Sequence, residues 1–204
     1  MARWEPNARE RFVRAALDLF TEQGYDATTV NQIAERAGLT KTTFFRYFSD
    51  KREVLFVGQE FHSRVLADAL AAAPDAATPL QAVGAALDAL AATFVEERRE
   101  LGARLLTVIA DNGELRERAV FKHVGLVEAV TGALHKRDVP EPAASLAAEL
   151  GIRAFDRAFA QWVGGKQQPD QTASDQIGGA DARTLSALAH DALHELRAAA
   201  AALD

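Results

Sequence analysis

A chain of 204 residues, 49% apolar and with a formal net charge of -6, is long enough for one large domain or two small ones. It has no cysteine, which excludes a disulfide framework and a thiolate metal site. No apolar run approaches the roughly 20 residues of a membrane span, and the start, MARWEPNARERF, lacks the apolar stretch of a signal peptide, so a soluble cytoplasmic protein is expected.

The apolar residues are mainly Ala and Leu, with only 6 prolines, a balance that favours helices. Asn7 with Glu10 reads as an N-cap and its box partner after Pro6, and Phe12, Val13, Ala16, Leu17 and Phe20 then recur at helical spacing until Gly24. Thr29 with Gln32 opens a second helix with Ile33, Ala34 and Ala37 on its apolar face, and Gly38 ends it. Thr40 caps a third short helix that ends near Phe48. Asp50 with Glu53 opens a fourth, running through Phe56, Phe61, Val65 and Leu70 to Ala73. Beyond it, helices are expected near 79–98, 101–111, 114–137, 142–163 and 181–203. Their dividers are Gly102, Asn112-Gly113, Val139-Pro140 and the polar stretch from Gly164 to Gly179, which reads as a mobile loop. The expected fold class is all-α with about nine helices.

Charge is uneven along this chain. Residues 1–52 hold 9 Lys+Arg against 7 Asp+Glu, a net of +2, and the remainder carries a net of -8. Within the first part, GLTKTTFFRYFSDK combines hydroxyls, aromatics and cations. Two helices that cross steeply need a small residue at their contact, Ala34, and a turn residue tolerant of positive φ, Gly38. Leu39, Phe44 and Phe48 then press into a core, while Thr40, Lys41, Thr43, Arg46 and Tyr47 face outward. A DNA major groove admits one α-helix of this kind. Ordinary packing of a short amphipathic helix is the alternative.

The segment TTVNQIAERAGLTKTTFFRYFSDKREVLF resembles the helix-turn-helix of TetR-type transcriptional repressors, over about residues 9–57. The resemblance implies a three-helix DNA-binding head in residues 1–52 and a ligand-binding and dimerisation domain in residues 53–204. It implies a homodimer on a palindromic double-stranded operator, released when a small molecule binds. A swing of the fourth helix is the expected lever. Position by position, Thr29 and Lys51 fall where the family contacts phosphate from helix N-termini. Thr40, Lys41, Thr42 and Thr43 fall on the groove-facing start of the recognition helix, and Tyr47 on a phosphate position. Thr42 replaces a frequent glycine and Phe45 a frequent tyrosine. Arg46 either takes over that tyrosine's phosphate or reads a guanine.

In the second part, Leu146, Leu150, Phe155, Phe159 and Trp162 form one apolar stripe and Leu185, Leu188, Leu193 and Leu196 another. They are expected either at a dimer interface through the last two helices or in the chain's own core. Phe61, Phe94, Leu105, Phe121 and Trp162 are candidate walls of an effector pocket, with His62, Arg104 and His123 as polar anchors. Such walls suit a lipophilic molecule, and the acidic balance favours a neutral or cationic one. No cofactor is implied. HDALH, residues 190–194, has two histidines one turn apart as in a zinc hydrolase, but almost no chain remains beyond it to supply a third ligand. No phosphate loop, Gly-x-Ser-x-Gly elbow or cysteine nucleophile is present. The expected function is a ligand-responsive regulator of transcription, not an enzyme. A helical ligand-binding or scaffold protein that had lost its DNA contacts would lack the cations Lys41, Arg46 and Lys51.

Overall fold

The computed structural model describes residues 7–165 and 183–203. Among these residues there are nine α-helices and no strand, in agreement with the all-α expectation. The helices are α1 (Ala8–Gln23), α2 (Val30–Arg36), α3 (Lys41–Tyr47), α4 (Gln59–Ala72), α5 (Pro79–Ala91), α6 (Arg99–Ala110), α7 (Gly113–His135), α8 (Ala143–Gly164) and α9 (Leu185–Ala201). Short 3-10 turns cover Arg52–Leu55 and Glu96–Arg98. Apart from Gly164 and Gly165, the polar stretch to Gly179 lies outside the described residues.

Local chemistry sets several of the boundaries. At the start of α2 the Thr29 hydroxyl accepts the Gln32 N–H at 3.3 Å, and Gln32 Oε1 accepts the Thr29 N–H at 2.8 Å. Both halves of that capping box are therefore present. The expected box at Asn7 is not. Asn7 takes a left-handed conformation, φ 70°, with no capping bond from its side chain, and Glu10 instead pairs with Arg14 at 3.1 Å.

The fourth helix also starts later than expected. Asp50 Oδ1 accepts the N–H groups of Arg52 (2.8 Å) and Glu53 (3.2 Å), but these bonds open only the first 3-10 turn. Gly58, at φ 98°, then redirects the chain before α4. The helix expected over 79–98 stops at Ala91, where the Thr93 hydroxyl bonds the Leu90 carbonyl at 2.7 Å and competes with further winding.

Packing divides the chain into two compact units. The first comprises Met1–Gly58 with Leu101–Lys122, and the second Gln59–Glu100 with His123–Asp204. In the first unit Phe12, Leu17, Ile33, Phe44, Val54 and Leu115 are fully buried. Leu115 and Val108 belong to this core, so residues of α6 and α7 complete the interior beneath the first three helices. Ion pairs reinforce them: Arg118 meets Glu53 at 2.5 and 3.1 Å, and Arg104 meets Asp18 at 2.7 Å. In the second unit α8 packs along α9, and α5 packs against both of these and α4. Arg137 closes the C-terminal end of α4 by donating to the carbonyls of Leu70, Ala73 and Pro74 at 2.7–3.0 Å.

The hydrogen bond from Arg52, aided by the Glu53 and Arg52 N–H groups, holds the Asp50 carboxyl below its ordinary value of 3.8. A depressed carboxyl contributes stability that is present above the unfolded pKa and is lost as pH falls through the folded one. Unfolding titrations of Asp50→Asn should therefore show a shallower loss of stability than the parent between about pH 5 and pH 3. An identical acid limb in both proteins would show that this cap does not contribute.

Candidate functional site

Phe44 and Phe48 root α3 in the interior of the first unit. Phe44 is fully buried and Phe48 nearly so. Phe12 of α1 meets both rings edge-on, at centroid distances of 5.2 and 5.8 Å, which is the favourable geometry for aromatic quadrupoles. Ala34 is buried at the contact between α2 and α3, and Gly38 sits at φ 64°. The Leu39 N–H closes the turn on the Ala34 carbonyl at 2.8 Å, and Arg11 Nη2 donates to the Gly38 carbonyl at 3.3 Å. A Cβ at position 38 would lie 2.8 Å from that guanidinium, so glycine fits this turn both by its φ and by its lack of a side chain.

With 44 and 48 inward, helical spacing puts 42 and 46 on the opposite side, and these two are exposed together with 41, in the first turn of the helix, and 45. Thr40 is exposed as well, and Thr43 and Tyr47 are half-buried. The Thr40 hydroxyl is committed to its own helix: it accepts the Thr43 N–H at 3.1 Å and lies 2.9 Å from the Thr43 hydroxyl. Thr42 has no such commitment. Lys41 and Arg46 touch only rings, Phe45 at 6.0 Å and Tyr47 at 5.4 Å, and meet no carboxylate among the described residues. Elsewhere in this unit Arg14, Arg36 and Arg52 are each paired with a carboxylate. Two cations without a carboxylate partner among the described residues thus stand on α3, beside a threonine free to bond, as groove and phosphate contacts require.

Lys51 is placed differently. Its ammonium donates to the carbonyls of Tyr25 (2.7 Å) and Thr28 (2.9 Å) and stands 3.9 Å from the Tyr25 ring centroid. It clamps the loop between α1 and α2 to the first 3-10 turn. Burial pushes its pKa below 10.5. Tyr25 in turn donates to Glu114 at 3.3 Å, and burial together with that carboxylate raises the phenol well above 10.0. Thr29 remains exposed, with its hydroxyl engaged by Gln32.

The expected effector residues separate into groups. Phe61, His62, Phe94 and Trp162 come together in the second unit. His62 lies 5.8 Å from Phe61 and 5.3 Å from Phe94; Phe94 lies 5.3 Å from Phe159, and Phe159 lies 5.9 Å from Trp162. Arg104 is paired with Asp18, and Leu105 packs on the core of the first unit. Phe121 is 72% exposed. His123 lies between Asp156 (2.8 Å) and Glu149 (3.3 Å). Of the two apolar stripes, Phe155, Trp162, Leu185, Leu188 and Leu193 are buried in the chain's own interior, and Leu146 is exposed.

The histidines of HDALH have separate partners. His190 bonds Asp88 at 2.8 Å and His194 meets Arg197 at 3.4 Å, and no three His, Cys, Asp or Glu side chains could hold a metal among the described residues. Likewise, no helix described is long and apolar enough to cross a membrane.

One buried cation escapes a reading of motifs. Arg99, at the start of α6, is buried beside Trp162. No local pattern marks it, since it stands in the charged run EERRE.

Residues 12–56 match the family model of bacterial regulatory proteins of the tetR family. The HTH-type transcriptional regulator TcmR of Streptomyces glaucescens is 30% identical, over 76% of this chain and 85% of its own length. The HTH-type transcriptional regulator HbdR of Aromatoleum is 43% identical, over 24% of this chain and 21% of its own length. Among solved structures, a TetR-family transcriptional regulator from Syntrophomonas wolfei has a TM-score of 0.59 at 16% identity, with 96% of this chain and 95% of that one covered. FadR from Bacillus subtilis, in complex with stearoyl-CoA, has a TM-score of 0.52 at 19% identity, with 92% and 96% covered. At those identities the two structures show the fold alone. Family model and full-length relative agree with the geometry of α2 and α3: the chain belongs to the TetR family of transcriptional regulators.

Proposed function

We propose that this protein is a homodimeric repressor that binds a pseudo-palindromic operator and leaves it when a small lipophilic molecule binds. The observation that carries this reading is the outward face of α3, where Lys41, Thr42 and Arg46 stand exposed and uncommitted on a helix anchored by Phe44 and Phe48. Residues 1–52 form the reading head and residues 53–204 take effector and partner, with the protein acting in the cytoplasm and catalysing nothing. Thr42 and Arg46 read base edges. Lys41 and Tyr47 grip phosphate, as do the N-termini of the short helices at Thr29 and Thr40. The partner subunit docks on the outward faces of α8 and α9.

The aromatic row from Phe61 to Trp162 supports an effector site of apolar character in the second unit. The stearoyl-CoA in the complex of FadR, a relative in fold, has a long apolar part. Such a molecule displaces the operator only to the extent that it binds the DNA-incompetent conformation better than the competent one.

The inward clamp of Lys51 divides its role from that of Lys41. Lys51→Met should lower the melting stability by about 1–3 kcal/mol, because two carbonyls lose their donor. Lys41→Gln should leave stability within about 0.5 kcal/mol, but reduce the slope of log affinity against log salt by about 0.9, the value of one phosphate contact. Denaturant melts and salt-dependent binding measure both, and a reversed pattern would refute the division.

Selection of bound duplexes from a randomised library should yield two half-sites related by a dyad, with centres about one helical turn (34–36 Å) apart or a multiple of it. Thr42→Ala and Arg46→Ala should each alter the preferred bases. A library left unenriched by ligand-free protein, both alone and with cell extract added, would defeat the operator reading.

A further inference from the structure

We infer that the effector is an aromatic anion and that Arg99 holds its acidic group. The inference rests on the effector site proposed above and adds the ligand's chemistry. Arg99 is 6% exposed, and a buried guanidinium stays charged. Its Nε donates to the Trp162 carbonyl at 2.5 Å and its Nη1 to Glu96 at 3.0 Å, and the guanidinium lies 5.5 Å from the Trp162 ring centroid. These bonds use only part of the five-donor fork. Nη2 has no acceptor among the described residues.

That free edge is open. No buried side-chain nitrogen or oxygen lacks a partner among the described residues, so Nη2 is not sealed from solvent. Gly165 contributes to the opening, since a Cβ there would lie 2.9 Å from Nη2. The carboxylate of Glu96 is 51% exposed, so it remains hydrated and compensates the buried charge only in part. A carboxylate or sulfonate on the ligand would complete the fork with charge-assisted bonds.

The rest of the ligand is described by the rings that continue from Trp162. Phe159, Phe94 and His62 are half-buried and Phe61 is 49% exposed, so part of the ring surface along the row is accessible. Stacked and edge-on contacts along such a row reward a flat aromatic body beyond its apolar area. The chain's net charge of -6 pointed towards a neutral or cationic effector. At the site itself the buried charge is positive, and over a few ångströms that local charge outweighs distant, screened carboxylates.

Trp162 itself reports binding. In a Trp4→Phe background it is the only tryptophan, and its emission can be titrated with naphthoate and with the neutral naphthylmethanol, which has the same ring system. Naphthoate is expected to bind on the order of tenfold more tightly. Arg99→Gln should bring the two affinities together, and Arg99→Lys, which keeps the charge, should retain part of the preference. Equal affinities in the Arg99 protein would overturn the anion anchor and leave an aromatic effector site standing. A naphthoate preference that survives Arg99→Gln would overturn the assignment to Arg99. If neither probe binds up to its solubility limit, the aromatic site and the effector reading built on it both fall. Should Arg99→Gln fail to fold, the comparison of the two probes on the Arg99 protein still decides the sign of the ligand's charge.

Discussion

The contact of Phe12 with Phe44 and Phe48 is the constraint on which the reading head depends. A seven-residue helix is far too short to persist alone, because nucleation costs more than two turns of hydrogen bonds return. α3 exists because Phe44 within it and Phe48 directly after it fill an interior that α1 supplies. The outward face is then a matter of geometry. Once 44 and 48 point inward, 3.6 residues per turn put 42 and 46 on the opposite side. Sequence-specific recognition on such a helix is a by-product of packing: the same two rings that create the helix also aim it.

This dependence explains which parts of the molecule were legible in the sequence. Capping pairs such as Thr29 with Gln32 are local, so their bonds form as the spacing predicts. The turn at Gly38 is equally local. Failures occur where a longer-range demand overrides the pattern. Asp50 does cap the turn that begins at Arg52, but the chain then has to bend at Gly58, so the expected fourth helix is divided. The apolar stripes of α8 and α9 were visible as stripes, but periodicity alone cannot say what covers them. Burial of Phe155, Trp162, Leu185, Leu188 and Leu193 shows that α5 and the two helices themselves consume most of that surface. The core of the first unit drew on Val108 and Leu115, more than fifty residues downstream, which no local pattern could announce.

Cations illustrate the same limit at finer scale. Lys41 and Lys51 are ten residues apart, flank the same helix and carry the same charge. One stands exposed with only a ring for company, and the other donates to two carbonyls of the loop between α1 and α2. Only the fold distinguishes them. What separates them physically is the supply of unsatisfied carbonyl groups. The loop between α1 and α2 offers two carbonyls within reach of one side chain, and a flexible ammonium is well suited to satisfy several at once. A lysine in that place serves folding first, and whatever it offers to DNA is limited to the donor that remains.

The same distinction between global count and local supply governs Arg99. Net charge describes a field summed over the whole protein, which salt screens beyond about one Debye length. It says little about a guanidinium held against Trp162, whose nearest carboxylate is half in water. A charge placed there has a desolvation cost that a backbone carbonyl and one exposed glutamate offset only in part. If Arg99 served only to close the end of α8, an uncharged donor reaching the Trp162 carbonyl would meet that need without the cost. An arginine with donors to spare, at the end of a row of accessible rings, has the composition expected of a site whose remaining partner arrives from solution.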